Sequence, residues 1–125
     1  MGFDQYHEPP EELTQEVRTL ARMFASLTEE AEAINWYEQR LSVEQDPDAR
    51  AIIANSRHEE YKHFAMSLEF LFRKRPEWGA IAKGILFQEG PIDENAEDAE
   101  GLAEIDDPGP DSGPRLVGSL GIGGL

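Results

Sequence analysis

From Leu13 onward the larger apolar residues fall at Leu13, Val17, Leu20, Phe24, Leu27, Ala31 and Ile34, with Leu41 one heptad later. Steps of four and three return side chains to one face of an α-helix, and to no face of a strand. A seam of this kind must be covered by other helices, so the chain is confined to bundle or coiled-coil architectures. Glu38 stands where the next apolar residue is due. It reads either as a local end to the seam or as a polar feature of the interface, and the first is favoured because Glu is seldom buried. Pro9 and Pro10 suit the entry to this helix, where amide protons have no use.

Asp46-Pro47-Asp48 closes the first helix and opens a second. Asp46 is a good N-cap, Pro47 fits the first helical position, and Asp48 favours the positive helix end. The second helix is predicted to run to Arg73–Arg75, whose basic side chains suit a C-terminus. Pro76 stops it and can start a short third helix through Trp78, Ile81, Ile85 and Leu86, before Gly90-Pro91 ends the ordered part. Residues 92–117 are rich in Asp, Glu, Gly and Pro, and read as a disordered acidic linker. Residues 118–125 turn apolar again, with Leu120, Ile122 and Leu125 set between glycines. That tail reads either as a frayed end or as a docking peptide that extends in a partner's groove. The expected fold is therefore all-α: an antiparallel two-helix hairpin plus a short third helix over residues 1–91.

Such a hairpin cannot bury both faces alone, and small chains of this kind usually oligomerise or add a staple. With no cysteine, neither a disulfide nor a thiolate metal site can serve. The formal charge is −15, from 26 acidic against 11 basic side chains. This surface repels nucleic acid and anionic membrane and attracts cations, although solubility alone also accounts for it. No apolar run reaches the length of a membrane span, and the N-terminus lacks the layout of a signal peptide. A cytoplasmic protein is expected.

The chemistry lies in Glu60-Tyr61-Lys62-His63. Glu60 and His63 are three apart and share a helix face. Their line runs through Ile53, Ser56, Glu60, His63, Ser67 and Phe70, so a carboxylate and an imidazole stand where Leu or Ile would pack. An unpaired charge there is costly, and a metal ion satisfies both groups together. A Glu from one helix with a Glu-x-x-His from the next is half of the ligand set of di-iron carboxylate bundles, and Glu30 on the first helix supplies that Glu. This chain has one half-set. Two copies about a two-fold axis would supply four carboxylates and two imidazoles, enough for two ions per dimer. The competing reading is an interhelical salt bridge with His63 as a satisfied core histidine. Mixed carboxylate and imidazole ligands suit iron or manganese, and zinc less exclusively. Tyr37 lies two turns beyond Glu30 on the same face, either at the edge of the site or in ordinary packing with Trp36. Glu29 and Glu32 form either an outer cation site or a solvated acidic face.

At these residues the chain resembles the encapsulated ferritins. The resemblance rests on Glu29-Glu30-Ala31-Glu32-Ala33-Ile34-Asn35-Trp36-Tyr37-Glu38-Gln39-Arg40, on Asn55-Ser56-Arg57-His58-Glu59-Glu60-Tyr61-Lys62-His63, and on Gly118-Ser119-Leu120-Gly121-Ile122 at the tail. Lys62 and Asn35 depart from the pattern, which usually has acidic residues there. The resemblance implies a dimer assembling into a decameric ring, with a ferroxidase site at the dimer interface. It implies Glu30, Glu60 and His63 as ligands of two irons per dimer, Glu29 and Glu32 as a metal-entry site, and Tyr37 as a tyrosine near the centre. Calcium or zinc would be the occupants of outer sites. It further implies housing inside an encapsulin shell, addressed through residues 118–125, where iron is mineralised and stored. Two other readings compete. A rubrerythrin-like peroxide scavenger would be expected to carry two half-sets and often a cysteine site. A helical cargo or adapter protein would hold its metal only structurally.

Overall fold

The computed structural model describes residues 6–106, and side chains as far as Gly101. Among the described residues the fold is all-α, without a strand. It comprises a 3₁₀ turn at Pro10–Glu12 and helices α1 (Gln15–Val43), α2 (Pro47–Lys74), α3 (Pro76–Lys83) and α4 (Ile92–Asp106). The chain divides between Leu71 and Phe72 into two compact units.

In the first unit the proline pair begins the 3₁₀ turn and not the long helix. Extended Leu13 separates the two, and Thr14 caps α1 by accepting the Val17 N–H at 3.1 Å. A hydroxyl at that position satisfies one of the orphan amides of the first turn, which a proline cannot do. Arg18 ties the turn to α1, donating from Nε and Nη2 to the Pro10 carbonyl at 3.0 and 2.6 Å.

The other end of α1 is closed from α2. Arg50 donates to the carbonyls of Leu41 and Glu44, groups that a helix C-terminus leaves unpaired. Asp46 Oδ1 accepts the Ala49 N–H at 2.9 Å, and Pro47 follows at the first helical position, as the sequence predicts. With only Glu44-Gln45-Asp46 between them, α1 and α2 must run antiparallel. Pairs along the hairpin agree: Leu41 with Arg50, Glu38 with Arg57 and Tyr61, Glu30 with Ser67. Glu38 is thus a polar feature of the helix pair and not the end of a seam. Its carboxylate takes the Arg57 guanidinium, which also lies 5.7 Å over the Tyr61 ring.

The hairpin covers only part of its apolar seam. Leu20 and Leu71 are buried, whereas Val17 and Phe24 stay 38% and 44% exposed and Ala31 is exposed. One chain alone does not remove that face from water.

In the second unit Pro76 opens α3 directly after α2. Phe72 and Trp78 meet edge to face, ring centroids 5.1 Å apart. Gly79 and Ala82 are the buried residues of α3. Helix α4 occupies positions where the sequence reading expects the first half of a disordered linker, and this expectation is corrected. Pro91 leads in, Asp93 and Glu94 sit in the first turn where the helix dipole favours anions, and Asn95 Nδ2 donates to the Glu89 carbonyl at 2.9 Å. The contact with α3 is made by small residues. Ala99 is 4% exposed, and a Cβ placed on Gly84 would lie 2.5 Å from the Ala99 Cβ. A linker judged by its lack of large apolar residues hides a helix that packs through alanine against glycine. Residues 107–117 and the tail 118–125 lie outside the described residues.

Candidate metal centre

Glu60 and His63 emerge from one face of α2, and the antiparallel register sets Glu30 of α1 opposite them. The three side chains each offer a ligand atom, and these atoms all lie within 4.8 Å of one another. Ligand bonds of about 2 Å hold donor atoms within about 4 Å of one another, so small side-chain rotations would close the three on one ion. The three line one depression together with Ser26, Glu29 and Ala33. With three carboxylates and one imidazole around it, its potential is negative and draws cations.

His63 Nδ1 lies 3.4 Å from Glu60 Oε1, with side-chain exposures of 46% for His63 and 23% for Glu60. The core-histidine reading does not describe this arrangement, since His63 is half exposed and its carboxylate neighbour is on its own helix. Glu30 is half buried, and its Oε1 accepts the Ser67 hydroxyl proton at 3.1 Å. Ser67 is the buried polar side chain among the described residues, at 5% exposure. Sequence reasoning places it on the ligand line without a role. The available signal was its spacing, one turn beyond His63 and two beyond Glu60.

Glu29 lines the depression but is exposed and stands outside the three-residue cluster. Glu32 is half buried and belongs to neither group. Tyr37 lies about 10 Å along α1 from Glu30 by helical rise. Its ring takes the Arg40 guanidinium at 5.4 Å. Lys62 turns to Glu59 at 2.9 Å, and that hydrogen bond and charge hold the exposed Glu59 carboxyl below the usual carboxylate range. His58 and His7 are both exposed.

Two carboxylates and one imidazole form a hard, mixed oxygen and nitrogen donor set that fits iron or manganese. One chain supplies three protein donors, half of those in a complete di-metal bundle site.

The chain has recognisable relatives among known proteins. A family model described as EncFtn-like matches residues 5–89. The chain is 41% identical over 120 residues to an encapsulated ferritin-like protein of Rhodospirillum rubrum, covering 95% of this chain and 86% of that one. It is 44% identical over 101 residues to a ferritin-like protein of Thermotoga maritima, covering 81% of this chain and 89% of that one. Its fold matches the crystal structure of protein ne0167 from Nitrosomonas europaea with a TM-score of 0.68 at 42% identity, covering 71% of this chain and 99% of that one. Among the described residues no helix is long and apolar enough to cross a membrane. Matched over most of its length by that model and by such relatives, the chain belongs to the EncFtn-like family, the encapsulated ferritins.

Proposed function

We propose that this protein is a ferroxidase that takes Fe(II) as substrate and oxidises it with dioxygen at a site completed by two chains. The observation that carries the reading is the convergence of Glu30, Glu60 and His63 on one point, with their ligand atoms within 4.8 Å. The carboxylates bind and neutralise the incoming cations, and the imidazole fixes the coordination direction. Placing two ferrous ions side by side allows dioxygen to accept an electron from each without releasing a one-electron product. Glu29, exposed at the rim of the same depression, and Glu32 nearby along α1 act as entry residues that concentrate cations. Tyr37 serves at the margin of the site.

The half-set of ligands and the uncovered face bearing Val17 and Phe24 support a homodimer as the working unit, with dimers assembling into a ring. The EncFtn-like family and the encapsulated ferritin-like relative support residence inside an encapsulin shell in the cytoplasm. There the oxidised iron would be mineralised and stored. Residues 118–125 would be the address. Calcium or zinc at outer sites would be a secondary occupancy.

The test is dioxygen uptake on adding Fe(II) to the purified protein under air. The full chain should consume dioxygen, and E30A and H63A should each lose nearly all of that activity, because each substitution is repeated at both ions of a symmetric site. Fe(II) binding without uptake would reduce the metal to a structural role.

A further inference from the structure

We infer that Ser67 is a positioning residue for the metal centre, setting the orientation in which Glu30 presents its carboxylate to the cation. The inference rests on the proposed function above for the identity of the site, and adds a residue outside the ligand set to it.

A serine hydroxyl has a single proton to donate. In a helix that proton commonly goes back to the carbonyl four residues earlier, a bond that does nothing for a neighbouring helix. Here it goes across the hairpin to Glu30 Oε1 at 3.1 Å. Ser67 is 5% exposed, whereas on the same line of α2 Glu60 is half-buried and His63 is exposed. The hydroxyl is therefore shielded from water that would compete for its proton, while the carboxylate it holds faces the depression. Glutamate has three side-chain torsions, and an unrestrained carboxylate at this position would sample several orientations before binding. One hydrogen bond to Oε1 narrows the orientations of the group and leaves Oε2 free to ligate.

The alternative role for a buried serine is plain packing between helices. The two roles separate cleanly, because Ala at position 67 is smaller than Ser, creates no clash and removes only the donor. Partners that orient a ligand typically contribute about 10–100-fold to metal affinity. The structure therefore predicts a loss of that size from Ser67→Ala without loss of fold.

The experiment measures Co(II) affinity of the full chain by chelator competition, reading the visible absorption of the bound ion. Melting of the metal-free protein is followed in parallel. S67A should weaken Co(II) binding by about 10–100-fold, change the shape of the absorption band, and leave the metal-free melting temperature in place. S67T, which keeps a hydroxyl, should bind Co(II) more tightly than S67A. H63A serves as the control on the site itself and should abolish binding. If H63A binds Co(II) like the full chain, the site is misassigned and both readings fall. If H63A fails to bind while S67A binds as tightly as the unaltered chain, the site stands and the role of Ser67 is refuted. A melting temperature that falls with S67A as steeply as affinity does would refute it too, making Ser67 a packing residue.

Discussion

Gly84→Ala reads the reality of the α3–α4 contact through the sign of its effect. Gly84 has φ −77° and ψ −9°, an ordinary right-handed conformation that alanine adopts freely. Were α4 absent from this surface, the substitution would restrict the unfolded chain and stabilise the protein by about 0.4–1 kcal/mol. With α4 in place, the new Cβ would stand 2.5 Å from the Ala99 Cβ and 3.3 Å from its Cα. Carbon atoms rest about 3.5–4.0 Å apart, so the helices must part by roughly 1 Å. Overpacking of this kind costs about 1–3 kcal/mol, which lowers the melting temperature by about 4 °C or more in a domain of this size. The companion A99G removes the opposing Cβ at a cost of about 0.5–1 kcal/mol in helix preference. The double variant should then be more stable than G84A alone, with a coupling of about 1 kcal/mol or more. Thermal and urea unfolding in the presence of a chelator measures all four proteins without metal-linked stabilisation. A stabilised G84A, or effects that simply add, would show that α4 does not pack on α3.

Glu32→Ala should alter the dependence of oxidation rate on Fe(II) concentration and leave the bound-metal count unchanged, whereas His63→Ala should empty the centre. A centre emptied equally by both would erase the division between ligand and entry residue. Deleting residues 118–125 should leave fold and Fe(II) oxidation intact and abolish co-purification with a co-expressed encapsulin shell, and equal loading would show that the tail is not the address. Lys62→Ala should raise the Glu59 pKa towards its ordinary value in an NMR titration, since the Lys62 hydrogen bond and charge now depress it. A depressed carboxylate contributes stability that is present above its unfolded pKa and lost as pH falls through the folded value. Glu59 is so exposed that the titration and not the melting curve should record the change.

The sequence carried the hairpin because its signals are local and agree with one another. The four-and-three spacing sets α1, Asp46-Pro47 sets the turn, and Pro76 ends α2 and begins α3. It also carried the convergence of Glu30, Glu60 and His63, because an antiparallel hairpin with a three-residue link has almost no freedom of register. Three features needed coordinates. The start of α1 at Thr14 was hidden by Pro9-Pro10, an equally plausible entry signal that went to a 3₁₀ turn. Helix α4 was hidden because an acidic composition looks disordered unless the small residues at Gly84 and Ala99 are known to meet. The cross-helix partners of Glu38 and Glu30, namely Arg57 and Ser67, depend on rotamers that no spacing rule encodes.

In the proposed arrangement one chain holds half of a metal site and a second chain completes it. Native mass spectrometry after anaerobic loading with Fe(II) counts chains and ions in the same particle. Metal-loaded species should contain even numbers of chains with two irons for every two chains. Larger species should gain population as iron is added, and H63A should show neither effect. A monomer that takes up two irons by itself, or a dimer whose H63A form still carries both, would contradict it.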